Sequence, residues 1–468
     1  MVVILYFMFS AYATNPQIGS PAAMYQLLKE AAIKRPVAGN QGGSYMTMKS
    51  NFALVFGIIQ LCSGSGTVFL DQAYWQRAIA SRPTTAVRAY ILGGLAWFAI
   101  PFGFATTLGL AAVALTDSPS FPTYPNGMSQ SEISSGLASS YAATALLGKG
   151  GSVALLIVLF MAVTSCASAE LIAVSSILTF DIFKTYVKPS ATPKQLIFVS
   201  HVMIGVFGLT MAVFACIWNA IGIDLGWLFL TMGLLIGGAV FPAAFAITWK
   251  GQTRAGAISG AVTGLAAGLI AWLTTAYHYY GTLSIATTGL EYPTLAGNLA
   301  AVMTGLIVSV AVSLVRPAPF DWDTTRMINA VAAVSTPTSN SIQDEDMTQN
   351  GEDLSKKEEL PTVRDEEKEE FEDIAAMEEP SKLRSAFQLA CIASFVLTFL
   401  MDFLIPIPMF LSHYIFSQGF FTAWVIISFV WVFCSAAVST ILPIVETAGF
   451  FKNLVSAVSG ELRGQKIR

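Results

Sequence analysis

The sequence predicts an all-α polytopic membrane protein, and three observations predict it. Only 12% of the residues are charged against 54% hydrophobic, whereas a soluble domain carries about 25% charged residues. Apolar runs long enough to cross a hydrocarbon core of about 30 Å recur down the chain. One such run, "NFALVFGIIQLCSGSGTVFL" (Asn51 to Leu70), holds Gly-Ser-Gly and ends on Asp71, Gln72, Gln76 and Arg77. Glycine costs about 1 kcal/mol in a helix interior relative to alanine, so a plain anchor has no reason to accept two.

Ten spans are expected, at about 1–13, 52–70, 88–115, 151–177, 195–218, 225–248, 255–277, 297–315, 384–409 and 419–443. The first is short, ending at the polar "NPQIGSP". It lacks the basic n-region of a signal peptide, so it reads as the end of a spanning helix whose beginning is missing.

The second span reads as a broken helix, with Gly64 and Gly66 as its hinge. A freed backbone group in a bilayer costs several kcal/mol unless protein or a cavity receives it, and secondary transporters build sites at such breaks. Close helix packing at small residues is the competing reading.

The fourth span, "FMAVTSCASAELIAVSSILTFDIFKTY", sets Ala162, Ser165 and Cys166 on one helix face. Glu170 follows one turn later, about 6 Å along the axis from Cys166. Polar atoms at this depth are expensive and face a cavity or a partner. For Glu170, a functional role and a structural pairing with another helix both stay open.

Basic residues set the orientation. Arg77, Arg82 and Arg88 follow the second span, Lys184, Lys188 and Lys194 the fourth, and Lys250 and Arg254 the sixth. Those loops are assigned to the cytoplasm. Loop 14–51, with Lys29, Lys34, Arg35 and Lys49, disagrees, but it is long and most of its charges lie far from helix ends. Asp344 to Glu379 hold 16 acidic and 4 basic residues, a balance of −12 that leaves +8 on the rest of a chain whose net charge is −4. Residues 316–382 are therefore expected to form a disordered cytoplasmic loop.

The five cysteines sit in apolar stretches without paired spacing and read as small buried hydrophobes. The three histidines show no ligand spacing. With no nucleophile–base pair, phosphate loop or metal cluster in view, an enzyme, a cofactor and nucleic-acid binding are not expected.

The strings "LDQAYWQRAIAS", "SCASAELIAVSSILTFDIFKTY" and "TWKGQTRAGAISGAVTG" resemble signature segments of the solute:sodium symporter family. "YATNPQIGSPAAMYQLL" together with "SAELIAVSS" resembles its urea active transporter branch. The resemblance covers roughly residues 1–320 and, less securely, the last two spans. It implies a leucine-transporter-like fold of two inverted five-helix repeats, present here in part. Residues 1–248 would carry the fifth to tenth core helices and 249–315 two additional spans. Residues 383–445 would form two further spans and 446–468 a cytoplasmic tail. The first four core helices would be absent.

The resemblance also implies site residues. Ala162, Ser165 and Cys166 would correspond to the family's shared sodium site, and a sodium ion would rest on Ala162 and Ser165. Cys166 stands where the family has a hydroxyl, and a neutral thiol is a poor donor for a hard cation. That favours a proton, with Glu170 as the titratable group. Ser65, Thr67, Trp97, Phe98, Trp227 and Thr231 would contact the solute. The family's sugar carriers have a lysine where Phe98 stands, which argues against a sugar. Urea, small, planar and neutral, suits aromatic walls with a few oxygens.

The reading is a plasma-membrane urea importer coupled to H+ or Na+, with the lipid bilayer as its surroundings. The alternatives are a symporter for another small polar solute, such as a polyamine or an amino acid, and a non-transporting fragment.

Overall fold

Nine helical segments among the described residues are long and apolar enough to cross a bilayer, and a shorter apolar helix, Val2–Thr14, precedes them. The computed structural model describes residues 1–79, 81, 83–318 and 380–462. The ten expected spans all reappear as helices. Most of the acidic segment, 319–379, lies outside the described residues, as do 463–468.

Local chemistry sets the helix ends. Helix α1 is Val2–Phe9, closed by the π turn Ser10–Thr14. Helix α2, Pro21–Lys34, opens with Pro at its first position and Ser20 accepting from the Ala23 N–H, which satisfies a donor the helix start leaves bare. Helix α3 is Asn51–Leu70 and α4 is Gln72–Ile79. Helices α5, Pro83–Trp97, and α6, Thr106–Leu115, make one span joined through the π turn Ile100–Ala105. The short α7, Gln130–Ser134, carries a full capping box between Ser129 and Glu132.

Helix α8 is Ala138–Ser176, extended by π turns over Ile177–Val187. Gly148, with φ 59° and ψ −145°, divides it, and only glycine adopts that backbone freely. Helix α9, Pro193–Ala220, starts on a Thr192–Gln195 capping box. Helices α10, Leu225–Ile236, and α11, Val240–Thr248, share the next span. Helix α12 is Arg254–Tyr280, α13 is Ile285–Thr288 and α14 is Glu291–Val315. Beyond the acidic segment come α15, Pro380–Thr398, α16, Pro406–Leu411, and α17, Gln418–Leu462. Helix α17 runs on to Leu462, into the stretch expected to form a tail.

Two packing modes hold the helices. Around α1, α2, α6, the start of α8 and α17, large apolar side chains interlock: Phe7, Met8, Leu108, Leu115, Phe421 and Val432 are fully buried. Around α12 and α14 the contact is backbone on backbone. Gly256, Gly260, Gly264 and Gly268 recur every fourth residue, so they line one face of α12. Gly297, Ala301, Gly305, Ser309 and Ser313 answer them on α14. A Cβ at Gly264 would lie 2.6 Å from the Gly238 Cα and 2.7 Å from the Ala301 oxygen. Small residues at that spacing let backbones approach, the route by which membrane helices associate where lipid tails are as apolar as leucine.

The cysteines depart from expectation. Cys62 is buried, but Cys166, Cys216, Cys391 and Cys434 are exposed, and all five are free thiols. A thiol is apolar enough to stand on an outward helix face in hydrocarbon, so apolar surroundings in sequence did not require burial.

Candidate functional site

The break in the second span falls at Asp71, not at Gly64 and Gly66. Helix α3 runs unbroken through both glycines and stops at Asp71, whose backbone is extended at φ −78° and ψ 113°. Ser65 and Thr67 return their hydroxyls to the Leu61 and Ser63 carbonyls of the preceding turn, at 2.7 and 3.1 Å. Gly66 sits under Ile236 of α10, while Gly64 faces open space. The physical reason is one of magnitude. Two interior glycines cost about 2 kcal/mol, whereas unwinding in the bilayer would strip several backbone groups at several kcal/mol each.

The real break is well supported. The Asp71 Oδ1 accepts from the Ala73 N–H at 2.7 Å and so caps α4, and the Trp75 indole donates to the Phe69 carbonyl at 3.2 Å. The Tyr90 hydroxyl of α5 reaches the Tyr74 carbonyl at 2.9 Å. Helix α4 packs on α8, and this brings Glu170 to Asp71. The two carboxyl groups are neighbours, and Arg77 lies near Glu170. The sequence reading put Asp71 at the membrane interface without seeing this partner. An aspartate before a helical stretch is a capping signal, but nothing local announces its contact with Glu170.

On the same helix Ala162, Ser165 and Cys166 are exposed in this chain, while Glu170 is half-buried. The Ser165 carbonyl accepts the Ser168 hydroxyl at 2.9 Å, and Thr164 donates to the Phe160 carbonyl at 2.7 Å. The expected ion-coupling residues Ala162, Ser165 and Cys166 therefore lie on an open stretch of α8 that leads to Glu170.

The expected solute contacts fall in two places, Ser65 and Thr67 on α3 beside the α10 that carries Trp227 and Thr231, and Trp97 and Phe98 at the end of α5 beside α17. Phe98 stacks on Phe102 and meets Trp431 of α17 edge-on, each at 5.3 Å, so it serves packing. Its neighbour Trp97 is 66% exposed. Trp227 donates its indole N–H to the Thr288 hydroxyl at 3.1 Å and meets Trp272 edge-on at 5.7 Å. Thr231 is buried and gives its hydroxyl to the Trp227 carbonyl at 2.8 Å. Asn298 of α14 donates to the Leu230 carbonyl at 3.0 Å, which fixes this part of α10 further. A surface groove between α8 and α9 around Phe180 and His201, and another between α5 and α17 around Leu95 and Trp431, contain none of the six.

Polar groups flank the spans. The Asp117 carboxylate pairs with Arg35 at 2.7 Å and Lys34 at 2.9 Å, and their hydrogen bonds, Arg35 first, hold it below the usual aspartate range. The Ser129 N–H and hydroxyl and the Tyr141 hydroxyl likewise lower Glu132. Among the described residues no group of three or more His, Cys, Asp or Glu could hold a metal ion.

Nine helices long and apolar enough to cross a bilayer, among the described residues, define a multi-pass membrane protein. Residues 2–264 match the sodium:solute symporter family, and the chain belongs to that family. It is 38% identical over its whole length to the probable urea active transporter 1 of Schizosaccharomyces pombe, of which it spans 65%. It is 36% identical over 99% of its length to the urea active transporter of Saccharomyces cerevisiae, spanning 67% of that protein. With the urea-proton symporter DUR3 of Oryza sativa subsp. japonica it shares 42% identity over 73% of its length and 48% of the relative's. No solved structure matches the chain.

Proposed function

We propose that the protein carries urea across the plasma membrane in symport with a proton, by alternating access. The urea reading rests on the relatives, whose names describe urea transport. One observation carries the proton: the Glu170 carboxyl group stands beside that of Asp71. One proton relieves the repulsion between two neighbouring negative charges, so such a pair is a natural place for a coupling proton to bind. Cys166 adds to this, because its thiol is a weak ligand for sodium. In this reading the Asp71 end of α8, the acidic segment and the C-terminus face the cytoplasm, following the basic loops. Glu170 and Asp71 would pass the proton inward as the helices rearrange, and the Arg77 charge beside them would stabilise the carboxylates left behind.

The test is urea uptake by the transporter carrying this sequence, in cells lacking urea uptake. External pH and sodium are varied at fixed membrane potential. Uptake should rise as external pH falls and ignore sodium. Glu170→Gln keeps the shape but cannot release a proton, so uptake should lose its pH dependence or stop. A sodium requirement without pH dependence, or an unchanged pH profile in Glu170→Gln, would refute the proton assignment.

A further inference from the structure

The described helices fall into two packed groups. Helices α1, α2, α5, α6, α8, α9 and α15 to α17 pack with one another, and so do α3 and α10 to α14. Away from chain connections their main contacts run through two short helices, α4 and α7, near opposite ends of α8. At one end lies the contact of α4 with α8 that holds Asp71 and Glu170. At the other, α7 rests on the first turn of α10. The Ser134 hydroxyl donates to the Asp224 carboxylate, and the position of a Cβ on Gly226 lies 3.1 Å from the Ser134 carbonyl oxygen. The Leu225 side chain reaches within 3.6 Å of the corresponding position on Gly136.

Both sides of this second contact are anchored. The Tyr141 hydroxyl in the first turn of α8 donates to Glu132 of α7 at 2.9 Å. Asp224 also caps α10, accepting from the Trp227 N–H at 2.8 Å. Below it, α10 is tied to its own group through Trp227 with Thr288 and Leu230 with Asn298. A rigid path therefore runs from α8 through α7 into α10, and the Ser134–Asp224 hydrogen bond is where it crosses between the groups.

We propose that Ser134 and Asp224 form a gate latch. Asp224 acts as a positioning residue that holds the α10 group against α7 and α8, and the latch must part for the site to open at that end. At this end the contact is small, made by the Ser134–Asp224 hydrogen bond and the close approaches at Gly226 and Gly136, so the groups can part there without unpacking the fully buried side chains of either.

Asp224 has two jobs, and substitutions separate them. Asp224→Asn keeps the reach and the helix cap. Asp224→Ser keeps a good cap but is too short to reach Ser134. With Ser134 left in place and Ile223→Cys as the reporter beside the contact, labelling at position 223 by a bulky maleimide in opened membranes, read on the labelled peptide, should run about tenfold faster with Asp224→Ser than with Asp224 itself, as expected for losing one hydrogen bond to a charged group, with Asp224→Asn between the two.

The second arm joins Ser134→Cys with Asp224→Cys, and a protease site placed in the 188–192 connection reveals the cross-link on a non-reducing gel. Oxidation with copper phenanthroline should link the halves and abolish uptake, and reductant should restore it. Each single-cysteine variant should be unaffected. Equal labelling with Asp224→Ser and with Asp224 itself, no cross-link, or a cross-link that leaves uptake intact would each overturn the latch. The labelling arm needs no transport, so a protein that takes up no urea counts against the urea reading alone.

Discussion

Replacing Gly264 with alanine puts a methyl group where three backbones meet. Its Cβ would fall 2.6 Å from the Gly238 Cα, 2.7 Å from the Ala301 oxygen and 3.2 Å from the Gly305 Cα. The closest approach is about 0.8 Å short of ordinary contact, and backbone atoms cannot turn aside as a side chain does. Helices α12 and α14 must part, which loosens the neighbouring contacts at Gly260 and Gly268. Overpacking of this kind costs about 1–3 kcal/mol, and the upper part of that range applies because every obstacle is main chain. Alanine's better helix propensity returns about 1 kcal/mol, leaving a net loss of about 1–2 kcal/mol. Gly109 of α6 is the control, since it is helical with nothing within 4 Å of its Cβ position. Thermal melting of the detergent-solubilised protein should fall for Gly264→Ala and hold or rise for Gly109→Ala. A Gly264→Ala protein that melts no lower than the parent, or shifts no differently from Gly109→Ala, would refute the reasoning.

Two other outcomes follow from the ion-coupling face and the flanking charges. Cys166→Ser restores a hydroxyl beside Ser165 and should add a sodium dependence to uptake; a profile identical to the parent's would show that the thiol is no obstacle. Because Asp117 is depressed by Arg35 and Lys34, its pairing contributes stability above the ordinary aspartate value of 3.8 and loses it as pH falls through the lower folded value. Hydrogen exchange over residues 31–37, corrected for intrinsic rates, should rise in that acid window and already be raised in Asp117→Asn at neutral pH; equal protection in variant and parent would count against the tie. The effect is small because the pair is exposed.

The spans were legible because hydropathy over 18 residues or more leaves a chain few choices. The hinge was not. Glycine permits unwinding but does not compel it, and in α3 the cost of bare backbone groups outweighs glycine's weak dislike of the helix. Gly66 makes room for Ile236, a partner far along the chain. Asp71 was legible as a polar residue after an apolar run, but its meeting with Glu170 depends on how α4 folds back on α8. For Trp227 and Phe98 the difficulty is related: an aromatic ring in a membrane helix looks the same in sequence whether it lines a path or wedges two helices together. The fourth span yielded most, since a carboxylate in hydrocarbon must have company, and the structure supplies it.

Trp431 of α17 donates its indole N–H to the Leu95 carbonyl at 2.8 Å, in the last turn of α5, where a helix leaves its carbonyls without partners of their own. Indole emission depends on what the N–H touches, so this residue carries an optical record of how α5 leads into the π turn before α6. A rearrangement that drew the Leu95 carbonyl away would leave the indole bare in hydrocarbon. The final helix thereby senses, and resists, a change of shape in a segment that precedes it by hundreds of residues.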